Sequence, residues 1–184
     1  MSRLFVAIAI PQSPKITLQA VQKHCPATCK YIDRENWHIT LQFIGDNSVN
    51  AVDECLQQVN GQCFDVNLTE PGYFGRLKNG AILWWGVESV PELSGLHDAI
   101  QCALQEKFGK EKIISDKGGF QPHVTLARCK HKIVREDIES FLQQPPLSGC
   151  RFSVNRFGLY SSKTDQQGAH YTLEKSYLLK PASQ

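Results

Sequence analysis

Short β-rich runs alternate along the chain with segments of helical apolar period. Arg3 to Ile10 reads as a strand ending at Pro11, and Ser13 to His24 carries a helical pattern behind the start signals Pro11, Ser13 and Pro14. After a loop, Trp37 to Ile44 alternates until Gly45-Asp46-Asn47, which is expected to break it; Ser48 then reads as the N-cap of a helix to about Val59. Phe64 to Thr69 and Ala81 to Val87 are predicted strands flanking a glycine-containing loop, Tyr73 to Gly80, and Pro91 to Phe108 is the longest predicted helix. The succession then repeats as strand Phe120 to Arg128, helix Val134 to Leu142, strand Cys150 to Tyr160, a turn-rich stretch Lys163 to Gly168, and strand Tyr171 to Leu179.

The two halves follow one order and can be laid over each other at a nearly constant offset. His38 to His123 spans 85 residues, Phe64-Asp-Val-Asn67 to Phe152-Ser-Val-Asn155 spans 88, and Tyr73 to Tyr160 spans 87. An internal duplication is expected, its two copies packing about a pseudo-twofold axis with a cleft between them, since two copies are too few for a solenoid. Helices mixed with mainly antiparallel strands, without a regular βαβ alternation, predict an α+β fold: two mainly antiparallel sheets line the central cleft and helices lie outside. One domain over residues 1–184 fits the length and a hydrophobic fraction of 41%.

Charge and cysteine content narrow the function classes. A net charge of +2 is too mild for extended duplex binding, so any nucleic-acid contact should be short and local. No apolar run approaches the roughly 20 residues of a spanning helix, and the N-terminal run is cut by Pro11 without a small-residue cleavage site, which favours a buried strand over a signal peptide. Seven cysteines cannot all pair within the chain and follow no compact disulfide framework, so a reducing, cytoplasmic setting is expected. Cys25 and Cys29 beside His24 would be half of a zinc site, but no second tight pair completes it; ordinary structural thiols are expected, and no metal or cofactor.

The candidate chemistry lies in a tetrapeptide that occurs twice, His38-Ile39-Thr40-Leu41 and His123-Val124-Thr125-Leu126, each inside a predicted strand. Strand geometry puts His and Thr on one face and the aliphatic residues on the other. One His-x-Thr is weak, and a lone strand histidine is more often structural; two copies at matching positions of a repeat are far less easily accidental. Opening a cyclic phosphodiester needs a proton taken from attacking water and another given to the departing ribose oxygen. Two imidazoles suit that pair of tasks near neutrality, while the Thr40 and Thr125 hydroxyls can donate to the non-bridging oxygens. Neither motif brings the Asp/Glu cluster of a two-metal phosphodiesterase.

On these residues the chain resembles the two-histidine (2H) phosphoesterase superfamily, in particular its RNA 2′,3′-cyclic phosphodiesterase branch, also known as 2′-5′ RNA ligases. The likeness includes Arg3-Leu-Phe-Val-Ala-Ile8, Trp37 to Gly45, Phe74-Gly75, Pro122 to Arg128 and Leu159-Tyr-Ser-Ser162. It implies a bilobal α+β fold with a V-shaped cleft, no cofactor, and hydrolysis of the cyclic end to a 2′-phosphomonoester, with reverse 2′-5′ ligation as a secondary reaction. By motif position it implies His38 as proton donor and His123 as the acceptor that activates water. The expected partner is an RNA 3′ end bearing the cyclic phosphate, on single-stranded RNA or tRNA halves, acted on by a monomer.

Around this centre, strand alternation is expected to carry Arg128 onto the face of His123 and Thr125, where it would bind phosphate. Lys130, His131, Lys132 and Arg135 form a basic cluster that would steer an RNA end or simply be solvated. Trp37, Phe5, Phe43, Phe120 and Tyr160 are candidate substrate-binding aromatics, with core packing as the alternative for residues of apolar strands such as Phe5 and Phe43. Two other functions remain open: a phosphodiesterase acting on small cyclic nucleotides or ADP-ribose cyclic phosphate, and a non-catalytic module that grips RNA ends.

Overall fold

In the computed structural model, residues 2–113, 118–147, 149–165 and 169–181 are described. The strands are β1 (Ser2–Ala9), β2 (Lys30–Tyr31), β3 (His38–Asn47), β4 (Phe64–Arg76), β5 (Gly80–Val87), β6 (His123–Cys129), β7 (Arg151–Val154), β8 (Arg156–Thr164) and β9 (Ala169–Leu178). The helices are α1 (Gln12–Gln22), α2 (Val49–Leu56), α3 (Pro91–Phe108) and α4 (Arg135–Leu142). The fold is α+β, with antiparallel pairing between all of these strands and the order β7-β4-β5-β6-β3-β1-β8-β9, β2 joining β6.

The two expected sheets are therefore the two ends of one strand path. They join through a single pair, Ile39 with Val124, where β3 meets β6. One lobe holds β3, β1, β8 and β9 with α2 and α3 packed behind it; the other holds β6, β5, β4, β7 and β2, backed by α1 and α4. The apolar residues of both sheets and the inner faces of the helices share one core, with Val6, Leu18, Leu83, Trp85, Leu93, Ile100, Val124 and Phe141 fully buried. In α3 the buried set Leu93, Leu96, His97, Ile100 and Leu104 follows the helical period, and Pro91 opens the helix where no backbone donor is required.

Three departures from the sequence reading have physical causes. Gly45-Asp46-Asn47 does not end β3: Gly45 takes a φ of 80°, and the strand continues past it to Asn47. β4 runs through Pro71 and Gly72 into the expected loop, because β5 pairs with it from Gly80 onward; a register shift between Leu68 and Pro71 accommodates the proline. The single strand expected over Cys150 to Tyr160 is two strands divided at Asn155. β7 pairs with β4 in one lobe and β8 with β1 in the other, so the chain changes lobes there. The turn-rich stretch expected over 163–168 lies partly outside the described residues.

The cysteine reading also needs correction. Cys29 and Cys129 form a disulfide, with Cα atoms 4.2 Å apart, beside the β2–β6 pairing, whereas Cys25, Cys55, Cys63, Cys102 and Cys150 are free. The two halves of this bond lie 100 residues apart, too far for spacing to suggest the pairing. Burial pushes the Cys25 thiol up to about 12. None of the helices among the described residues is long and apolar enough to cross a membrane.

The disulfide predicts a count. Alkylation of the denatured chain without reductant should modify five cysteines, and with reductant seven; in the native protein exposed Cys102 should react early and Cys25 last, read by peptide mass. Seven modified residues without reductant would mean that the bond does not form.

Candidate active site

The pairing of Ile39 with Val124 organises the site. Because β3 and β6 run antiparallel through that pair, the residues on either side fall opposite each other, His38 near Thr125 and Thr40 near His123. Ile39 and Val124 are themselves buried at 0% exposure, so the four polar residues share the other face. All four line a cleft of about 670 Å³ between the lobes.

Both histidines are held in the same way. The Nδ1 of His38 lies 2.6 Å from the Asn36 carbonyl oxygen, and the Nδ1 of His123 lies 2.7 Å from that of Gln121. A carbonyl only accepts, so in both rings Nδ1 carries the hydrogen and donates it, and proton exchange with a ligand falls to Nε2. The Asn36 side chain in turn donates to the Ala169 carbonyl in β9 (2.9 Å), which ties the short 3-10 turn before β3 to the far strand of the lobe.

Aromatic rings brace each imidazole. Phe5 lies 5.0 Å from His38 and Tyr171 meets it edge-on at 5.3 Å; Phe74 meets His123 edge-on at 4.9 Å, with Trp84 at 5.9 Å. A Cβ on Gly72 would come within 2.2 Å of the Trp84 ring, so only glycine there leaves that ring its place. On the His38 side the consequence is electrostatic: burial pushes its pKa down to about 4, and the nearby charges of His123 and Arg128 act in the same direction, against the Asn36 hydrogen bond that raises it. His38 is thus neutral at pH 7.

Arg128 lines the cleft, but not for the expected reason. Regular alternation from positions 123 and 125 would bring 127 and 129 to that face. Instead, the register between β5 and β6 shifts by one residue: Trp84 pairs with Thr125 and Leu83 with Ala127, leaving Leu126 as a bulge that carries Arg128 into the cleft. The same thing happens in β3, where Ala7 pairs with Thr40 and Val6 with Gln42, so that Leu41 is the extra residue and Phe43 turns to the cleft. The leucine that closes each tetrapeptide is the bulge, and five residues after each histidine the two lobes present different groups, a benzyl ring and a guanidinium.

The other aromatics separate. Phe43 is 65% exposed and is the one expected platform that offers an open ring face to the cleft. Phe5 lines the cleft but is 4% exposed; it stacks at 5.4 Å on Tyr160, its cross-strand neighbour on β8, which is outside the described cleft lining. Trp37 is corrected to a core residue, 2% exposed, since the alternation that turns His38 to the cleft turns its neighbour the other way. Phe120 is corrected likewise: its ring stacks on His97 of α3 at 4.1 Å, on the helical side of the sheet. The exposed Lys130, His131, Lys132 and Arg135 lie beyond the cleft lining. The sequence reading did not single out Tyr171, Phe74 or Asn36 as site residues; their roles follow from contacts between distant segments.

The comparisons agree with this architecture. Residues 10–166 match the profile of the 2′-5′ RNA ligase superfamily. An RNA 2′,3′-cyclic phosphodiesterase of Thermotoga maritima is 28% identical over 179 residues, covering 92% of this chain and 91% of the relative. One of Archaeoglobus fulgidus is 30% identical over 135 residues, covering 71% and 74%. Among solved structures, a Thermus thermophilus protein superposes with a TM-score of 0.82 at 23% identity over 98% of this chain and 100% of its own. E. coli LigT complexed with 3′-AMP superposes with a TM-score of 0.77 at 23% identity over 97% and 98%; likenesses this distant concern the fold alone. With the profile spanning most of the sequence and the paired motifs within it, the chain belongs to the 2′-5′ RNA ligase superfamily.

Proposed function

We propose that the protein hydrolyses terminal 2′,3′-cyclic phosphates on RNA to 2′-phosphomonoesters, without a metal, and as a secondary reaction forms a 2′-5′ linkage when an RNA 5′-hydroxyl replaces water as the nucleophile. The observation that carries this reading is the placement of two Nδ1-protonated imidazoles and two threonines on one face of the β3–β6 junction. The names of the curated relatives supply the substrate class. Water attacks phosphorus as one Nε2 takes its proton, and the other Nε2 protonates the departing ribose 3′ oxygen. Thr40 and Thr125 donate to the non-bridging oxygens, and Arg128 offsets the charge gathered there. Phe43 stacks against the terminal base.

The family resemblance makes His38 the donor and His123 the acceptor. A donor must be protonated, yet burial keeps His38 neutral, so the ring must take up a proton from solvent as the substrate binds, the anionic phosphate favouring the imidazolium. Among the described residues lining the cleft there is no Asp or Glu, and the lining chemistry is that of an anion site rather than a divalent-cation site. Also proposed are the internal duplication, marked by the mutual pairing of Ile39 and Val124 at equivalent positions, and a cytoplasmic monomer.

Replacing His38 or His123 with Ala should lower kcat about two to four orders of magnitude on an oligonucleotide with a cyclic end, the usual size of a general acid or base effect. Chelator should leave wild-type turnover unchanged; loss restored by a divalent ion would end the metal-free mechanism. Unchanged turnover in both alanine variants would remove the acid–base pair, while binding without product would leave an RNA-end-binding module.

The titration of His38 gives a further expectation. By NMR its midpoint should lie near 4 in the empty protein and rise when inorganic phosphate binds; no rise would exclude it as donor. Because the folded pKa is below the ordinary 6.5, the neutral ring's contribution to stability is complete above that pH and is lost as the pH falls towards 4, measurable by denaturant titration across that window.

A further inference from the structure

The cleft extends well beyond the four motif residues, and β1 measures how far. Across from it on β3, His38 stands opposite Ala9, Thr40 opposite Ala7, Phe43 opposite Phe5, and Asp46 opposite Arg3. Arg3 therefore lies four residues past the level of Thr40, roughly 13 Å along a strand, and two residues past the Phe43 platform. It shares Phe5's face and lines the cleft; its partner on the other side, Ser162 of β8, lines the cleft as well.

Arg3 is exposed, and neither it nor Ser162 has a side-chain hydrogen bond or ion pair to a described residue. The cross-strand neighbour Asp46 does not form an ion pair with Arg3 and is not part of the described lining. Arg3 and Arg128 are the charged side chains of that lining. They are not equivalent: Arg128 is near enough to His38 to depress its pKa, whereas Arg3 stands at the outer end, on the far side of Phe43.

We propose that Arg3 and Ser162 form a second phosphate site, which takes the phosphate on the 5′ side of the terminal nucleotide while its cyclic phosphate lies between the histidines and its base lies on Phe43. This rests on the function proposed above and deepens it. The guanidinium, on a long side chain, reaches back over the gap that one nucleoside fills, and Ser162 adds a hydroxyl donor. The site selects an RNA end, which carries that internucleotide phosphate, over a nucleoside cyclic phosphate, which has none. Because the contact is made equally before and during the reaction, its effect should fall on KM.

Three substrates test this: a nucleoside 2′,3′-cyclic phosphate, the same compound with a 5′-phosphate, and a dinucleotide ending in the cyclic phosphate. For the wild type, kcat/KM on the second and third should exceed that on the first by about ten- to a hundredfold, as expected of a charge-assisted contact. Arg3→Gln should abolish the advantage through KM and leave turnover of the first compound unchanged; Arg3→Lys should retain part of it, and Ser162→Ala should reduce it. An equal loss on all three substrates, or no wild-type preference, overturns the proposal. If the protein turns over none of them, the proposed activity fails separately. Calorimetry then decides the second site: a nucleoside 2′,5′-bisphosphate should bind at least about tenfold tighter than the 2′-monophosphate in the wild type and not in Arg3→Gln, and equal affinities overturn it.

Discussion

The site depends on the meeting of two strands at one residue pair. Were β3 and β6 zipped together along their length, the sheet would be continuous and the motif residues would lie on a closed surface. With Ile39 and Val124 as the one paired position between them, the strands part on both sides and the lobes open around the polar face. The same pair explains why two histidines from opposite halves of the chain line one cleft. An antiparallel contact centred between the two motifs places each histidine beside the other motif's threonine, in a local two-fold arrangement.

Symmetry then gives way beyond the two motifs. The bulges at Leu41 and Leu126 are equivalent, and both leucines are buried, at 2% and 0% exposure, so each bulge is anchored in the core while it re-aims the strand that follows. What the bulges deliver differs: Phe43 from one lobe, Arg128 from the other. The two imidazoles differ as well, one packed by Phe5 and Tyr171 and the other by Phe74 and Trp84. Two similar strand junctions thus present unlike surroundings to the two histidines.

The turn that carries the Asn36 carbonyl is held by contacts far apart in sequence. Lys15, 6% exposed in α1, pairs with Glu35 at 2.9 Å, and Asn36 reaches β9, so the turn that orients His38 is fixed from two sides. On the other lobe, Gln22 in α1 donates to the Ile32 and Leu126 carbonyls at 2.8 and 2.9 Å, tying the segment before the turn to the bulge of β6. The Cys29–Cys129 bond clamps the same region one residue beyond Arg128. Support of this kind holds the residues of the cleft in register.

Most element types are legible along the chain, and so is the repeated tetrapeptide. Apolar periodicity is local, so α3 was legible from Pro91 to Phe108, and a repeated His-x-Thr in strand context needs no tertiary information to stand out. Features that depend on strand pairing are not legible locally. The lobe exchange at Asn155, the run of β4 through Pro71, the bulges that bring in Phe43 and Arg128, and the disulfide across 100 residues are settled by partners distant in the chain. Alternation alone turned Trp37 inward once His38 faced the cleft, but Phe120 was fixed by His97 on a helix, and no local pattern encodes that stack. Periodicity records which side of its own strand a residue occupies; which other segment lies on that side is set by packing of the whole chain.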